Sequence, residues 1–284
     1  MRRRSTRLVS RDLDALAQID GWPAEHASAG VVQVERAWTR GPTEQVFPWA
    51  SVTKPVTAMA TLVAAEEGIL DLDESAGPKG STVRHLLAHA SGLPFDGDKP
   101  IGRPGQRRIY SNTGFEVLAD LLAERAEMPF AEYLRAAVLE PLEMGATRLN
   151  GSPASGLEGP LDDLLGFARE LLEPRLVAPE TLAEATTVAF PGLAGILPDI
   201  GRFDPNDWGL GFELRDAKSP HWTGEANSEG TFGHFGGSGS FLWVDPAVSS
   251  ACVSLSDLQF GDWAKDAWPR LSDAVLVDLR GPGR

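Results

Sequence analysis

Three short stretches of the chain hold residues whose types and spacing could do chemistry. In Ser51-Val52-Thr53-Lys54 a hydroxyl and an amine lie three residues apart, so on a helix they share one face and can meet. A serine hydroxyl is a weak nucleophile until a base takes its proton, and a lysine becomes that base when desolvation or nearby positive charge lowers its pKa. Tyr110-Ser111-Asn112 adds a phenol able to pass a proton to a leaving group and an amide able to orient Lys54 or a substrate carbonyl. The run GHFGGSG from Gly233 to Gly239 sets His234 among glycines that let a backbone approach a ligand, with an N–H available to complete an oxyanion hole. Each stretch also has a plain structural reading: a helix-capping Ser51 beside a solvated Lys54, a core tyrosine followed by a capping Ser111 or Asn112, and a glycine-rich hairpin with a half-buried His234. Scarcity sharpens the first two, because the chain has five lysines, of which only Lys54 follows a serine at this spacing, and only two tyrosines.

The elements that must position these groups are legible in outline. Residues 10–20 read as a short amphipathic helix and residues 30–38 alternate as a half-buried strand does. From Ser51 to Glu67 the chain is Ala-rich and helix-forming, Pro55 falls early enough to be tolerated, and Gly68 is placed to stop the helix. Ser51 then stands at the mouth of a helix, whose free N–H groups and dipole favour a neutral Lys54 and a developing oxyanion. Helices are expected over 82–90, 112–127, 130–140, 161–172 and 179–187, separated by loops rich in Gly and Pro. After about Pro191 the stretches GLGFELR, TFGHF, GSFLWVDP and SACVSLS read as short strands, and a helix over 262–280 closes the chain. This order predicts an α/β (α+β) fold, an antiparallel sheet flanked by helices with an inserted all-helical region. The expected division is a discontinuous sheet domain, residues 1–72 and 190–284, around a helical domain, residues 73–189, with a cleft between them.

Composition narrows the function classes. The 284 residues are 42% hydrophobic and 23% charged, enough for a sizeable core. Forty acidic residues against 26 basic ones give a formal charge of −14, which disfavours binding to nucleic acid or to an anionic membrane surface. Cys252 is the only cysteine, so no intrachain disulfide forms, and it reads as a buried, inert thiol. The basic start MRRRSTRLVS is not followed by the apolar run of an export signal, and a cytoplasmic location is expected. No stretch is long and apolar enough for a membrane span, and neither a phosphate loop nor paired CxxC motifs occur.

Taken in order, the Ser-x-x-Lys, Tyr-x-Asn and His-x-Gly pieces resemble the serine β-lactamase and penicillin-binding protein-like family, most closely its class C β-lactamase, D-aminopeptidase and esterase branch. FPWASVTKPVTA around Ser51, HLLAHASGLP at 85–94, YSNTGFEVLADLLAE, LEPLEMGATR, DWGLGFEL and FGHFGGSGSFLWVDP carry the likeness, which runs from about residue 30 to the C-terminus. The resemblance implies that Ser51 is acylated, that Lys54 accepts its proton and that Tyr110 is the partner acid and base. It further implies that Asn112 holds Lys54 and the substrate, that His234 and Gly236 line the far wall, and that the N–H groups of Ser51 and Gly237 form the oxyanion hole. No cofactor and no metal are called for. The partner is a small ester, amide or β-lactam. The competing reading is a noncatalytic or slowly deacylating binding module on the same fold.

Two departures bear on the substrate. His234 stands where β-lactamases usually carry Lys, and Phe235 where they carry the Thr or Ser that would hold a carboxylate. An apolar wall suits an ester or amide better, so esterase-like chemistry is favoured over β-lactam hydrolysis. The short gap from Ser51 to Tyr110 suggests a trimmed helical domain and a more open cleft. His85 and His89, four apart on a helix, have the spacing of metal ligands but no third ligand. Asp71, Asp73, Glu74, Asp162 and Asp163 read as solvated turns and helix starts, and Trp208, Trp222 and Trp243 as core.

Overall fold

The computed structural model describes residues 13–34 and 36–280. The chain opens with a 3-10 helix over Asp14–Gly21 that buries Ala15, Leu16 and Ile19; the predicted helix began at residue 10, and residues 10–12 lie outside the described region. The strand predicted over 30–38 is two strands of a hairpin, β1 (Ala27–Gln33) and β2 (Arg36–Arg40), paired with Gly30 opposite Thr39. No Gly, Pro or Asn marks the reversal in Gln33-Val34-Glu35-Arg36, which is why the sequence shows one element.

After the short β3 (Phe47–Pro48) comes the central helix α1 (Thr53–Glu66), ended by Gly68 at φ +72°. The helical middle follows as α2 (Val83–Leu87), α3 (Asn112–Ala126) and α4 (Phe130–Leu134), the last continuing as a π-turn over Arg135–Leu139. Next are β4 (Arg148–Leu149), β5 (Leu157–Gly159), α5 (Leu161–Leu172) and α6 (Pro179–Ala185). A small hairpin, β6 (Gly195–Leu197) and β7 (Gly201–Phe203), leads to β8 (Glu213–Leu214), β9 (Phe232–Gly236), β10 (Ser240–Asp245), β11 (Ser250–Ser256) and α7 (Asp262–Arg280). The sequence shows the late strands and α7 but not the β6–β7 hairpin, whose strands are too short to alternate visibly.

Strands β2-β1-β11-β10-β9-β8 form one antiparallel sheet in that order. Successive side chains go to opposite faces. Ala29, Val31, Phe241, Trp243 and Cys252 pack with the opening 3-10 helix and with Trp268, Leu271 and Val275 of α7. Val32, Leu242, Val244, Val253 and Leu255 join the second core with α1 and α5. Helix α5, from the middle of the chain, lies against β1, β10 and β11. Among the described residues no helix is long and apolar enough to cross a membrane.

Every residue of α1 from Thr53 to Ala64 is buried, so the helix runs through the interior and its small side chains let other backbone come close. The closest approach is Gly211, at φ +89°, where an added Cβ would lie 2.1 Å from the Ala58 Cβ. Its N–H donates to the Leu87 carbonyl at 3.0 Å, which leaves little freedom to retreat. Gly211→Ala combines overpacking against α1 with an unfavourable left-handed backbone. The expected loss is about 3 kcal/mol, read as a lower urea midpoint with an unchanged slope.

Candidate active site

Ser51 sits in a single 3-10 turn, Ala50–Val52, that runs directly into α1. Ala50 has φ +44°, a strained conformation for a residue with a Cβ. It is held there from both sides. The Trp49 carbonyl accepts from the Val52 N–H at 3.1 Å and from the Ser240 hydroxyl at 2.7 Å, and the Trp49 indole N–H donates to the Gly159 carbonyl at 3.0 Å. A Cβ on Gly236 would lie 2.4 Å from that same Trp49 oxygen. The glycine therefore lets β9 lie flat on the turn that presents Ser51. Sequence reasoning placed Gly236 in the wall of the cleft; it is buried behind the turn instead, and the cleft-lining glycine is Gly237.

Lys54, three residues on, is fully buried. Its Nζ lies 3.2 Å from Ser51 Oγ, 2.7 Å from Asn112 Oδ1 and 3.0 Å from the Ala154 carbonyl oxygen. Burial lowers its pKa to about 7, against the opposing pull of Asp96 and Glu116. In the neutral amine the two N–H groups serve Asn112 and Ala154, which leaves the lone pair for the Ser51 hydroxyl proton. The Asn112 amide is oriented by its own donation to Asp96 at 3.3 Å, and it opens α3 immediately after Ser111, whose Oγ caps that helix by accepting from Gly114 N–H at 2.9 Å. The capping role foreseen for Ser111 and the polar role of Asn112 thus coexist. The Ala154 carbonyl was not foreseen, because a backbone acceptor in the loop GSPASG has no residue-type signature. Thr57 and Thr53 fix that loop, through a hydroxyl donated to Pro153 O at 2.7 Å and an acceptor for Leu157 N–H at 3.0 Å.

The Tyr110 ring lies under Lys54, with Nζ 4.7 Å from its centroid. Burial pushes the phenol pKa upward, opposed only by its hydrogen bond with Ser51. The phenol oxygen is 3.4 Å from His234 Nε2. His234 Nδ1–H donates to the Phe235 carbonyl at 2.7 Å, so in the neutral ring Nε2 accepts from Tyr110 O–H. Burial and the nearby Lys54 lower the His234 pKa to about 3, and the ring is uncharged at any working pH. The Gly237 N–H, just past β9, makes no hydrogen bond among the described residues, as an oxyanion donor would require.

The cleft beside Ser51 has a volume of about 130 Å³ and is walled by Phe95, Tyr110 and Trp208, with Leu197 to Asp199 of the β6–β7 turn along one side. The half-exposed Phe95 stands on the same cleft as that turn. Phe235 touches the cleft, but its ring packs mainly into the opposite core, 4.8 Å from Phe260 and 5.7 Å from Trp222. Trp208 lines the cleft, while Trp222 and Trp243 are core. In β8, the strand beside β9, Glu213 centres a buried charge cluster that the sequence does not reveal. Glu213 accepts from Lys218 at 2.6 Å, His221 at 3.0 Å and the Trp222 indole at 3.1 Å. Burial raises its pKa, yet Lys218 and His221 outweigh that and hold it at about 2.

His85 and His89 point to different partners. His85 Nδ1 accepts from Thr82 N–H at 3.3 Å in a capping box. His89, at φ +54°, is buried against Tyr110, with ring centroids 4.5 Å apart. Its carbonyl accepts from Ile109 N–H at 2.8 Å and its Nδ1 from Ser111 N–H at 3.1 Å. One residue thus grips the chain on both sides of Tyr110. Burial first, then Lys54, His234 and Arg108, keep the ring neutral, as its acceptor role demands. Asp73 and Glu74 pair with Arg84 and Arg125, and Asp163 accepts from Ala146 N–H and the Thr147 hydroxyl. Cys252 is buried, and burial raises its thiol pKa.

An antiparallel sheet with a Ser-x-x-Lys turn opening its central helix is the arrangement of β-lactamase-like serine hydrolases. The chain belongs to that family: the family described as Beta-lactamase matches residues 13–275. A crystal structure of a β-lactamase from Mycobacterium bovis is 54% identical over 92% of this chain and 98% of its own, with a TM-score of 0.91. Penicillin-binding protein 4* of Bacillus subtilis is 26% identical over 57% of this chain. The match spans 45% of that relative's length, less than half of it. A D-stereospecific amidohydrolase from Streptomyces shares the fold, with a TM-score of 0.69 over 93% of this chain and 96% of its own at 21% identity.

The clamp on Tyr110 is testable. His89→Ala removes the acceptor for Ser111 N–H, and kcat on an activated ester is expected to fall about 30-fold with KM changed less than threefold. His89→Asn keeps an acceptor near Nδ1 and tolerates positive φ, and should recover most of the rate. Equal losses in the two variants would reduce His89 to a packing residue.

Proposed function

We propose that the protein is a serine hydrolase that forms and breaks an acyl-Ser51 intermediate on small esters or amides, with ester turnover favoured over β-lactam turnover. The observation that carries this reading is the buried Lys54 amine, poised 3.2 Å from Ser51 Oγ with its pKa lowered to about 7. Ser51 Oγ attacks the carbonyl carbon as its proton passes to Lys54 Nζ, and the N–H groups of Ser51 and Gly237 receive the oxyanion. The Tyr110 phenol gives its proton to the departing alcohol, and the resulting phenolate lies beside the new Lys54 ammonium. In the second half-reaction water attacks the acyl carbon, its proton goes to Tyr110, and Lys54 returns the first proton to Ser51 Oγ as the acid leaves. With its phenol pKa raised by burial, Tyr110 begins protonated, and Lys54 is the base. Asn112 and Ala154 fix the amine, and His234 fixes the phenol. Esters are favoured because neither His234 nor Phe235 offers a charge to a β-lactam carboxylate.

Wild type treated with a fluorophosphonate should gain the phosphonyl mass, and Ser51→Ala should not; equal behaviour would remove Ser51 as nucleophile. The acylation rate should rise with pH through about 7 and then level. Lys54 is depressed from 10.5, so the reactive neutral amine predominates only above its folded-state pKa. A stopped-flow profile of p-nitrophenyl ester acylation, flat from pH 5 to 9, would contradict the assignment of Lys54.

A further inference from the structure

We propose that the cleft selects an acyl group bearing a small alkylammonium, held by the carboxylate of Asp199 and the exposed aromatic ring of Phe95. This inference rests on acyl-enzyme chemistry at Ser51 and names the substrate class of that site. The acyl group is the part that stays on Ser51 through both half-reactions, so the enclosed space adjoining Ser51 is assigned to it.

The charges around that space point one way. Besides Ser51, its walls include two carboxylates, Asp199 and Glu213, and no Lys or Arg. Glu213 is ion-paired with Lys218 and hydrogen-bonded by His221, and His234 is held uncharged by burial. Asp199 differs from both, for it has no ion pair or hydrogen bond to another side chain among the described residues. It stands exposed in the turn between β6 and β7, at φ +59°. That turn brings it to a cleft lined in large part by rings, with Phe95 and Tyr110 stacked at 5.9 Å and Trp208 packed 5.7 Å from Tyr110. Ring faces beside one unpaired carboxylate are the chemistry that recognises an organic cation. The formal charge of −14 adds long-range attraction for a cation and repulsion for an anion. A carboxylate substrate would meet no cation on the cleft surface, since Lys54 is buried and saturated behind Ser51.

The test compares three p-nitrophenyl esters with one leaving group: 4-(trimethylammonio)butyrate, its neutral isostere 5,5-dimethylhexanoate, and the half-ester of glutarate. At low salt kcat/KM should be about tenfold higher for the cationic ester than for the neutral one, with the anionic ester slowest, and the cationic advantage should shrink as salt rises. Asp199→Asn should bring the cationic-to-neutral ratio from about 10 to about 1. A ratio near 1 in wild type, or a ratio that Asp199→Asn does not move, overturns the proposal. A wild type that hydrolyses no ester and takes no fluorophosphonate on Ser51 defeats the hydrolase reading instead. In that event calorimetric titration with n-butyltrimethylammonium still decides the inference, since binding to wild type that weakens about tenfold in Asp199→Asn supports it, and equal or absent binding overturns it.

Discussion

Burying the Lys54 amine is the constraint on which the rest of the site depends. Depressing its pKa from 10.5 to about 7 corresponds to about 5 kcal/mol of preference for the neutral form. The sign follows from where the proton is held. Below pH 7 the amine is charged both folded and unfolded, and the folded state bears the full cost of burying an ammonium. Between about pH 7 and 10.5 only the unfolded chain holds the proton, so this group favours folding more as pH rises through that window. Asp96 and Glu116 soften the cost without removing it. A chain under no demand but stability would place an apolar residue at this fully buried point of α1.

That cost is useful only if the amine is fixed to within a hydrogen bond, and several distant segments converge to fix it. Asn112 comes from the first turn of α3, the Ala154 carbonyl from the loop before β5, and Ser51 from the strained turn before α1. Each is in turn held by something less visible: Asp96 behind Asn112, Thr57 and Thr53 behind the loop, and Ser240 together with the bare Gly236 behind Trp49 and Ala50. The fold can be viewed as a device for bringing β9, α1 and α3 to one point with backbone close enough that Gly236 and Gly211 admit no Cβ.

The contrast between what the sequence shows and what it hides follows from this. Ser51, Lys54, Tyr110, Asn112 and His234, which the fold brings together, are legible because their side-chain types are distinctive and their spacings are tied to local structure. The long helices α3, α5 and α7 are legible because their apolar periodicity is sustained, and α1 because it is Ala-rich and stopped by Gly68. The Ala154 carbonyl is hidden because any residue supplies one. The true task of Gly236 is hidden because a glycine that admits a ligand and a glycine that admits a neighbouring strand look alike in one dimension. The cluster of Glu213, Lys218 and His221 is hidden because nothing in the spacing of three charged residues says that they are buried against one another. The β6–β7 turn, which lines the cleft, is too short to announce itself.

The pair formed by Tyr110 and His234 shows how one residue type alters a site without moving its backbone. A lysine at position 234 would place a second ammonium within reach of Lys54, further disfavouring the charged amine and offering a counter-charge to an anionic substrate. Histidine, buried and uncharged, offers neither. It turns Nε2 toward the phenol instead, and the Nδ1–H bond to the Phe235 carbonyl fixes that tautomer. The phenol is therefore positioned by neutral groups, His234 ahead of it and the His89 ring beneath. When Lys54 gains a proton the Tyr110 phenolate becomes easier to form, and when Lys54 is neutral the phenol keeps its own. The Lys54 amine lies 4.7 Å from the centre of the phenol ring, close enough that an ammonium on one favours a phenolate on the other.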